Sequence, residues 1–193
     1  MKLGFCYIAE RSEAVPSLRR IIRTLRLTGA RLSNPSDGRI THLVGDGDAV
    51  DVTEAGLIEA LTLRDNLTPQ FWVGPSTYFA CSLRRLGGSL VRHFYSLDGL
   101  DDAERQKLIT WAIDYFRDAV DRRTALLLVV DFPGRTAEVD WDAVVVENAG
   151  LPSLLPDVLA LPASWAAHVN VPPECSRERL HDFEILTLRP GGG

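Results

Sequence analysis

Residues 101–131 read DDAERQKLITWAIDYFRDAVDRRTALLLVVD, and the division of this stretch decides the fold. Asp101 suits an N-cap, and Glu104 three residues on completes a capping box, so two orphan backbone donors find acceptors. Leu108, Ala112, Tyr115, Phe116 and Ala119 recur at three- and four-residue spacing, which predicts a helix over 101–121 with one apolar stripe. Arg105, Lys107, Asp114, Arg117, Asp118 and Asp121 fall mostly off that stripe. Residues 125–130 are then continuously apolar, as in a strand covered on both faces. Phe132-Pro133-Gly134 stops it, since proline lacks a ladder donor and glycine suits a turn. A central strand with the helix packed across it is the expectation.

Working outward, residues 76–86 fit two readings. They form a helix capped by Ser76, or a strand in which Phe79, Cys81 and Leu83 alternate. Gly87-Gly88 between two aromatic-rich runs favours the strand, joined in a hairpin to residues 90–96. Towards the N-terminus, residues 2–8 read as a strand and not as a signal peptide. Residues 12–28 read as a helix, with Pro16 in its first turn and Gly29 as its stop. Short strands follow at 30–32 and 40–44, then a helix at 53–63 and a strand at 70–73. The order is β-α-β-β-α-β followed by β-β-α-β, an α+β fold whose mostly antiparallel or mixed sheet carries packed helices. Residues 1–193 form one such domain or two sub-halves, 1–74 and 75–193, with a hint of duplication. Residues 150–173 hold five prolines and are expected as short turns over the core. Residues 183–188 read as a last, edge strand, and 191–193 as a loose end.

Hydrophobic residues make up 46% and charged residues 24%, ordinary for a soluble globular chain. No apolar run approaches the roughly 20 residues of a membrane helix. The three cysteines, Cys6, Cys81 and Cys175, are widely spaced, so neither a disulfide framework nor a zinc site is expected. A reducing cytoplasm fits them. Arginine outnumbers lysine 19 to 2, a composition in keeping with a GC-rich bacterial genome. The net charge of −5 is unevenly placed: residues 1–40 hold eight Lys/Arg against three Asp/Glu, and residues 97–147 hold six against twelve. Such asymmetry fits a charged partner, or two parts of one fold facing each other.

Gly45-Asp46-Gly47 lies between a strand and a helix, but Val50 stands where GxGxxG needs its third glycine. It reads as a polar turn. Asp46, Asp48 and Asp51 lack the terminal Glu of an EF-hand, since Leu57 stands there. His42, His93, His168 and His181 share no metal spacing. No cofactor and no metal are expected. His93, beside Phe94 and Tyr95, could meet Cys81 or Ser82 across the hairpin as a base beside a nucleophile. Asp131 ends a buried strand, where open α/β sheets place functional carboxylates, although a turn cap is the better account of it. Arg19, Arg20, Arg23 and Arg26 form one helix face without interleaved aromatics, which speaks against nucleic acid. Glu138, Asp140 and Asp142 alternate with Val139 and Trp141. If extended, they set three carboxylates on one face at about 7 Å steps, which asks for solvent, an internal arginine or a basic partner.

The strand end at Asp131, the run Glu138-Val139-Asp140-Trp141-Asp142, and the tract Leu155-Pro156-Asp157, Leu161-Pro162 and Trp165 together resemble small cytosolic bacterial immunity proteins of polymorphic-toxin systems. That resemblance covers about the last third of the chain. It implies a non-catalytic, cytoplasmic binder of a protein partner, such as a basic toxin. The partner-binding residues would be Glu138, Asp140, Trp141 and Asp142, with Trp141 as the anchor. The alternative is a small enzyme or ligand-binding protein with a pocket near His93 and Asp131. A third reading is an oligomer built through the edge at 183–188.

Overall fold

The computed structural model describes residues 4–45 and 47–188. In chain order these form β1 (Phe5–Arg11), α1 (Ala14–Leu25), β2 (Ile40–Val44), β3 (Asp48–Val52), α2 (Glu54–Leu63), β4 (Asn66–Trp72), β5 (Tyr78–Gly87) and β6 (Leu90–Ser96). There follow α3 (Asp102–Asp121), β7 (Ala125–Asp131), α4 (Trp141–Val146), β8 (Val158–Pro162), α5 (Ala163–Ala166), β9 (Cys175–Leu180) and β10 (Phe183–Leu188). The strands make one antiparallel sheet in the order β3-β2-β4-β5-β6-β1-β7-β8-β10-β9. The fold is α+β.

The capping box forms as its residues dictate: Asp101 accepts from Glu104 N–H at 2.8 Å, and the Glu104 carboxylate accepts from Asp101 N–H at 3.0 Å. All five stripe residues of α3 are buried. With α1 and α2 they cover one face of the sheet, hereafter the helix face, above Cys6, Ile8, Leu128 and Val130. The intervening residues Phe5, Tyr7, Ala9, Leu127 and Val129 point the other way, into a second core with Trp141, Leu155, Leu159 and Leu186. Strands β1 and β7 are therefore covered on both sides, which accounts for their unbroken apolar character. The β5–β6 hairpin closes through Gly87 and Gly88, whose φ values of 110° and 55° a side chain would resist.

Several expectations change. Strand β3 fills residues 48–52, between the polar turn at Gly45-Asp46-Gly47 and the helix expected at 53–63, where no strand was expected. Gly45 and Gly47 take left-handed φ and close a β2–β3 hairpin, while Asp46 lies outside the described residues. The strand expected at 30–32 shrinks to isolated bridges, Arg31 to Trp72 and Ser33 to Ile40. Residues 2–3 and 191–193 also lie outside the described residues. The hint of duplication fails on topology, because β4 lies beside β2 whereas β1 separates β7 from β6. The proline-rich tract supplies β8 and α5, not turns alone. Residues 183–188 do form a strand, but β9 folds back over them, so β10 is no edge.

Candidate functional site

In β1, Glu10 falls in phase with Cys6 and Ile8, so alternation aims a carboxylate at the helix face. It is wholly buried, and three elements converge on it. From α1, Arg20 Nη2 spans both carboxylate oxygens at 2.5 Å, and Ser17 Oγ donates to Oε1 at 2.6 Å. From α3, Tyr115 OH donates to Oε1 at 3.0 Å while accepting from Arg20 Nε at 2.9 Å. From β6, His93 Nε2 lies 3.3 Å from Oε1 and 2.7 Å from Ser17 Oγ. Burial pushes the Glu10 carboxyl up, but His93, Ser17 and Arg20 outweigh it and hold it down at about 2.

This cluster contains a serine, a histidine and a carboxylate, yet its proton order is not that of a nucleophile and base. The single Ser17 hydroxyl hydrogen goes to Glu10, so His93 Nε2 must be the donor to Ser17 Oγ. General-base activation needs the reverse, with serine donating to imidazole. The carboxylate also sits on the Nε2 side of the ring, leaving His93 Nδ1 buried without a partner among the described residues. Ser17, His93 and Glu10 are all fully buried. The cluster pins β1, β6, α1 and α3 together and presents no reactive atom to solvent.

The residues singled out from the sequence scatter. His93 and Asp131 share no pocket, because they face opposite sides of the sheet. His93 is level with Ile8 on the helix face, whereas Asp131 is level with Phe5 on the second face. The expected His93–Cys81 or His93–Ser82 pair is absent too: Leu83 stands opposite His93, and Ser82 turns away to Asn66. Burial pushes the Cys81 thiol up to about 12, which keeps it protonated and inert. Asp131 is a turn cap, accepting from both N–H and Oγ1 of Thr136.

Nor is the acidic run 138–142 extended. Asp140 caps α4 by accepting from Ala143 N–H at 3.0 Å, so the alternation that looked like a strand is the entry to a helix. Trp141, only 4% exposed, belongs to the second core and offers no surface anchor. Asp142 accepts from Tyr7 OH at 3.0 Å and lies 3.6 Å and 3.5 Å from Arg84 and Arg92. Glu138, Asp140 and Glu147 remain exposed, and among the described residues none has a cation within 4 Å.

Beside α4 the second face of β4, β5 and β6 is only partly covered: Tyr78 and Arg84 are exposed, Trp72, Ser82, Arg92 and Phe94 half-buried, and Gln70 buried. Along β5 and β6 each buried residue alternates with a half-buried or exposed one, and α4 reaches this face at Arg84 and Arg92 through Asp142. Arg84, Ser82 and Ala80 line up with Arg92, Phe94 and, in β4, Gln70. Tyr78, 42% exposed, packs on Trp72 with ring centroids 5.1 Å apart. A hollow of about 490 Å³ lies beside Tyr78, bounded by Leu43, Ala80 and Ser96. Arg92 covers Phe94, which stacks on Phe5 at the border with the second core. A smaller cleft joins Arg84 to Asp140, Val146 and Glu147.

Sequence reading passed over Glu10, Ser17, Arg20 and Tyr115 as a group, because they meet only through tertiary contact. It also passed over Trp72, Tyr78, Arg84, Arg92 and Phe94. Their signal was present in the polar residues Ser82, Arg84 and Arg92 at every second position of the hairpin. Among the described residues no group of His, Cys, Asp or Glu is arranged to hold a metal ion, and no helix is long and apolar enough to cross a membrane. Neither the family models, the curated proteins nor the solved structures contain a match to this chain.

Proposed function

We propose that this chain is a non-catalytic binding module, cytoplasmic and of the immunity kind, that occupies a basic surface of a protein partner such as a toxin. The observation that carries the reading is the open face of β4, β5 and β6. It presents Trp72 and Tyr78 at one end, and at the other end, six residues along β5, Arg84 meets an acidic border of Asp140 and Glu147 at α4. Aromatic side chains and arginines are enriched where protein interfaces carry their energy, and the surrounding charge sets partner choice and speed of encounter. The anchor role first given to Trp141 passes to Tyr78 and Trp72, whose exposure lets them be covered. Asp142 is a support, since it holds Arg84, Arg92 and Tyr7 in place.

The test separates anchor from steering. A Tyr78→Ser variant and a triple Glu138→Gln, Asp140→Asn, Glu147→Gln variant are compared with wild type in capture from the source cell and in kinetic binding to the captured protein. Asn at 140 keeps the helix cap. The expected result is faster dissociation for Tyr78→Ser. The triple variant should associate more slowly, and its deficit should shrink as salt rises, because exposed charges are screened over about 8–10 Å near physiological ionic strength. Unchanged rates in both variants would sink the reading.

A further inference from the structure

Of the three non-glycine residues with left-handed backbone among the described residues, Arg123, Asn148 and His181, two line one cleft at the end of the sheet. Helix α3 ends with Arg123 N–H donating to Val120 O and Thr124 N–H to Ala119 O, each at 2.8 Å. This is the paired-bond termination in which the residue after the cap turns left-handed and is ordinarily glycine. Here it is Arg123, at φ 59°. The two-residue loop between β9 and β10 places His181 at φ 51°, again where hairpins prefer glycine, asparagine or aspartate. Left-handed backbone at an ordinary side chain is a strain, and such strain gathers where a ligand or a switch is served.

The cleft has a volume of about 610 Å³, and Arg11, at the end of β1, stands on its wall with Arg123. Arg11 and Arg123 have no carboxylate within 4 Å among the described residues, whereas the neighbouring Arg122 is paired with Asp118. The rim also carries two carboxylates, Asp121, 3.3 Å from His181, and Asp182, which has no cation within 4 Å among the described residues. Leu126, Pro162 and Phe183 supply an apolar wall. We propose that this cleft binds a small organic phosphate, its dianionic head taken by the Arg11 and Arg123 guanidinium groups and its apolar body laid against Leu126, Pro162 and Phe183. Planar guanidinium forks match phosphate oxygens two at a time. The site is separate from the open sheet face and does not depend on the partner reading.

Calorimetric titration of the whole chain with phenyl phosphate, and separately with inorganic phosphate, tests the assignment. Wild type should bind phenyl phosphate saturably and inorganic phosphate at least tenfold more weakly. Arg11→Gln should weaken phenyl phosphate by about tenfold or more, the loss of a charge-assisted bond. Arg123→Gly should weaken it similarly while raising Tm, because glycine takes the left-handed turn without strain. Arg11→Gln lies at an exposed strand end and decides the matter if Arg123→Gly folds poorly. No saturable heat with wild type, or wild-type affinity in Arg11→Gln, would overturn the site. Equal affinity for the two phosphates would overturn the apolar wall.

Discussion

Glu10 gathers more polar bonds than any apolar neighbour in β1 could justify, and its ionisation has a readable sign. Its folded pKa, held down at about 2, lies below the ordinary carboxylate value near 4.5. Its stabilising contribution is therefore present above that ordinary value and is lost as pH falls through about 2. Urea unfolding of wild type and Glu10→Gln should differ by about 3 kcal/mol at pH 7, because removing one partner strands a mostly buried Arg20. The gap should close between pH 5 and pH 2, and a gap independent of pH would show that the carboxylate charge contributes nothing. None of this was legible as a site. A single Glu in phase with Cys6 and Ile8 hints only that it points inward, and Arg20 looks like its neighbours Arg19 and Arg23 until α1 is docked. Asp142 and Trp141 mislead for a related reason: strict alternation over five residues fits an extended strip, but a helix cap satisfies the same letters at lower cost.

At the scale of elements, α3 and β7 were the legible part, because their signals are local. A capping box, a stripe of five apolar residues and an unbroken apolar run need no knowledge of distant partners. The prediction attached to them is quantitative. Phe116→Ala should cost about 3–5 kcal/mol, as a fully buried ring against Phe183 leaves a cavity. Arg117→Ala should cost no more than about 1 kcal/mol, although Arg117 reaches Glu178 of β9 at 2.8 Å, because that pair is half exposed. Equal losses in denaturant midpoint for the two would contradict the burial. Strands β3 and β9 escaped notice because edge strands need little apolar content: DAVDV and CSRERL carry charges that discourage further pairing. A polar edge strand and a polar loop look alike until a neighbour fixes its hydrogen bonds.

At the scale of the whole molecule, the sheet joins two cores through shared strands. Ile8 and Leu128 serve the helix face, while Tyr7 and Val129, one residue away, serve the second core. Peeling either layer would expose one side of β1 and β7 and weaken the other, so the two cores should not melt independently. The α+β class was legible from element order, but the ten-strand order was not, since insertion of β1 between β6 and β7 is a choice of tertiary packing. The native tryptophans allow a test, with Trp111 on the helix face and Trp141 in the second core. Trp141→Ala should cost about 3–5 kcal/mol, roughly 2–4 °C in Tm for each kcal/mol in a chain of this size. In a background with Trp72→Phe and Trp165→Phe, which leaves Trp111 as the remaining tryptophan, it should also move the whole transition, so that Trp111 fluorescence and far-UV circular dichroism shift together. A variant in which Trp111 keeps its wild-type midpoint while part of the dichroism is lost earlier would show two separable units. The open face of β4 to β6 would then belong to a unit that could bind its partner without the layer around Trp141.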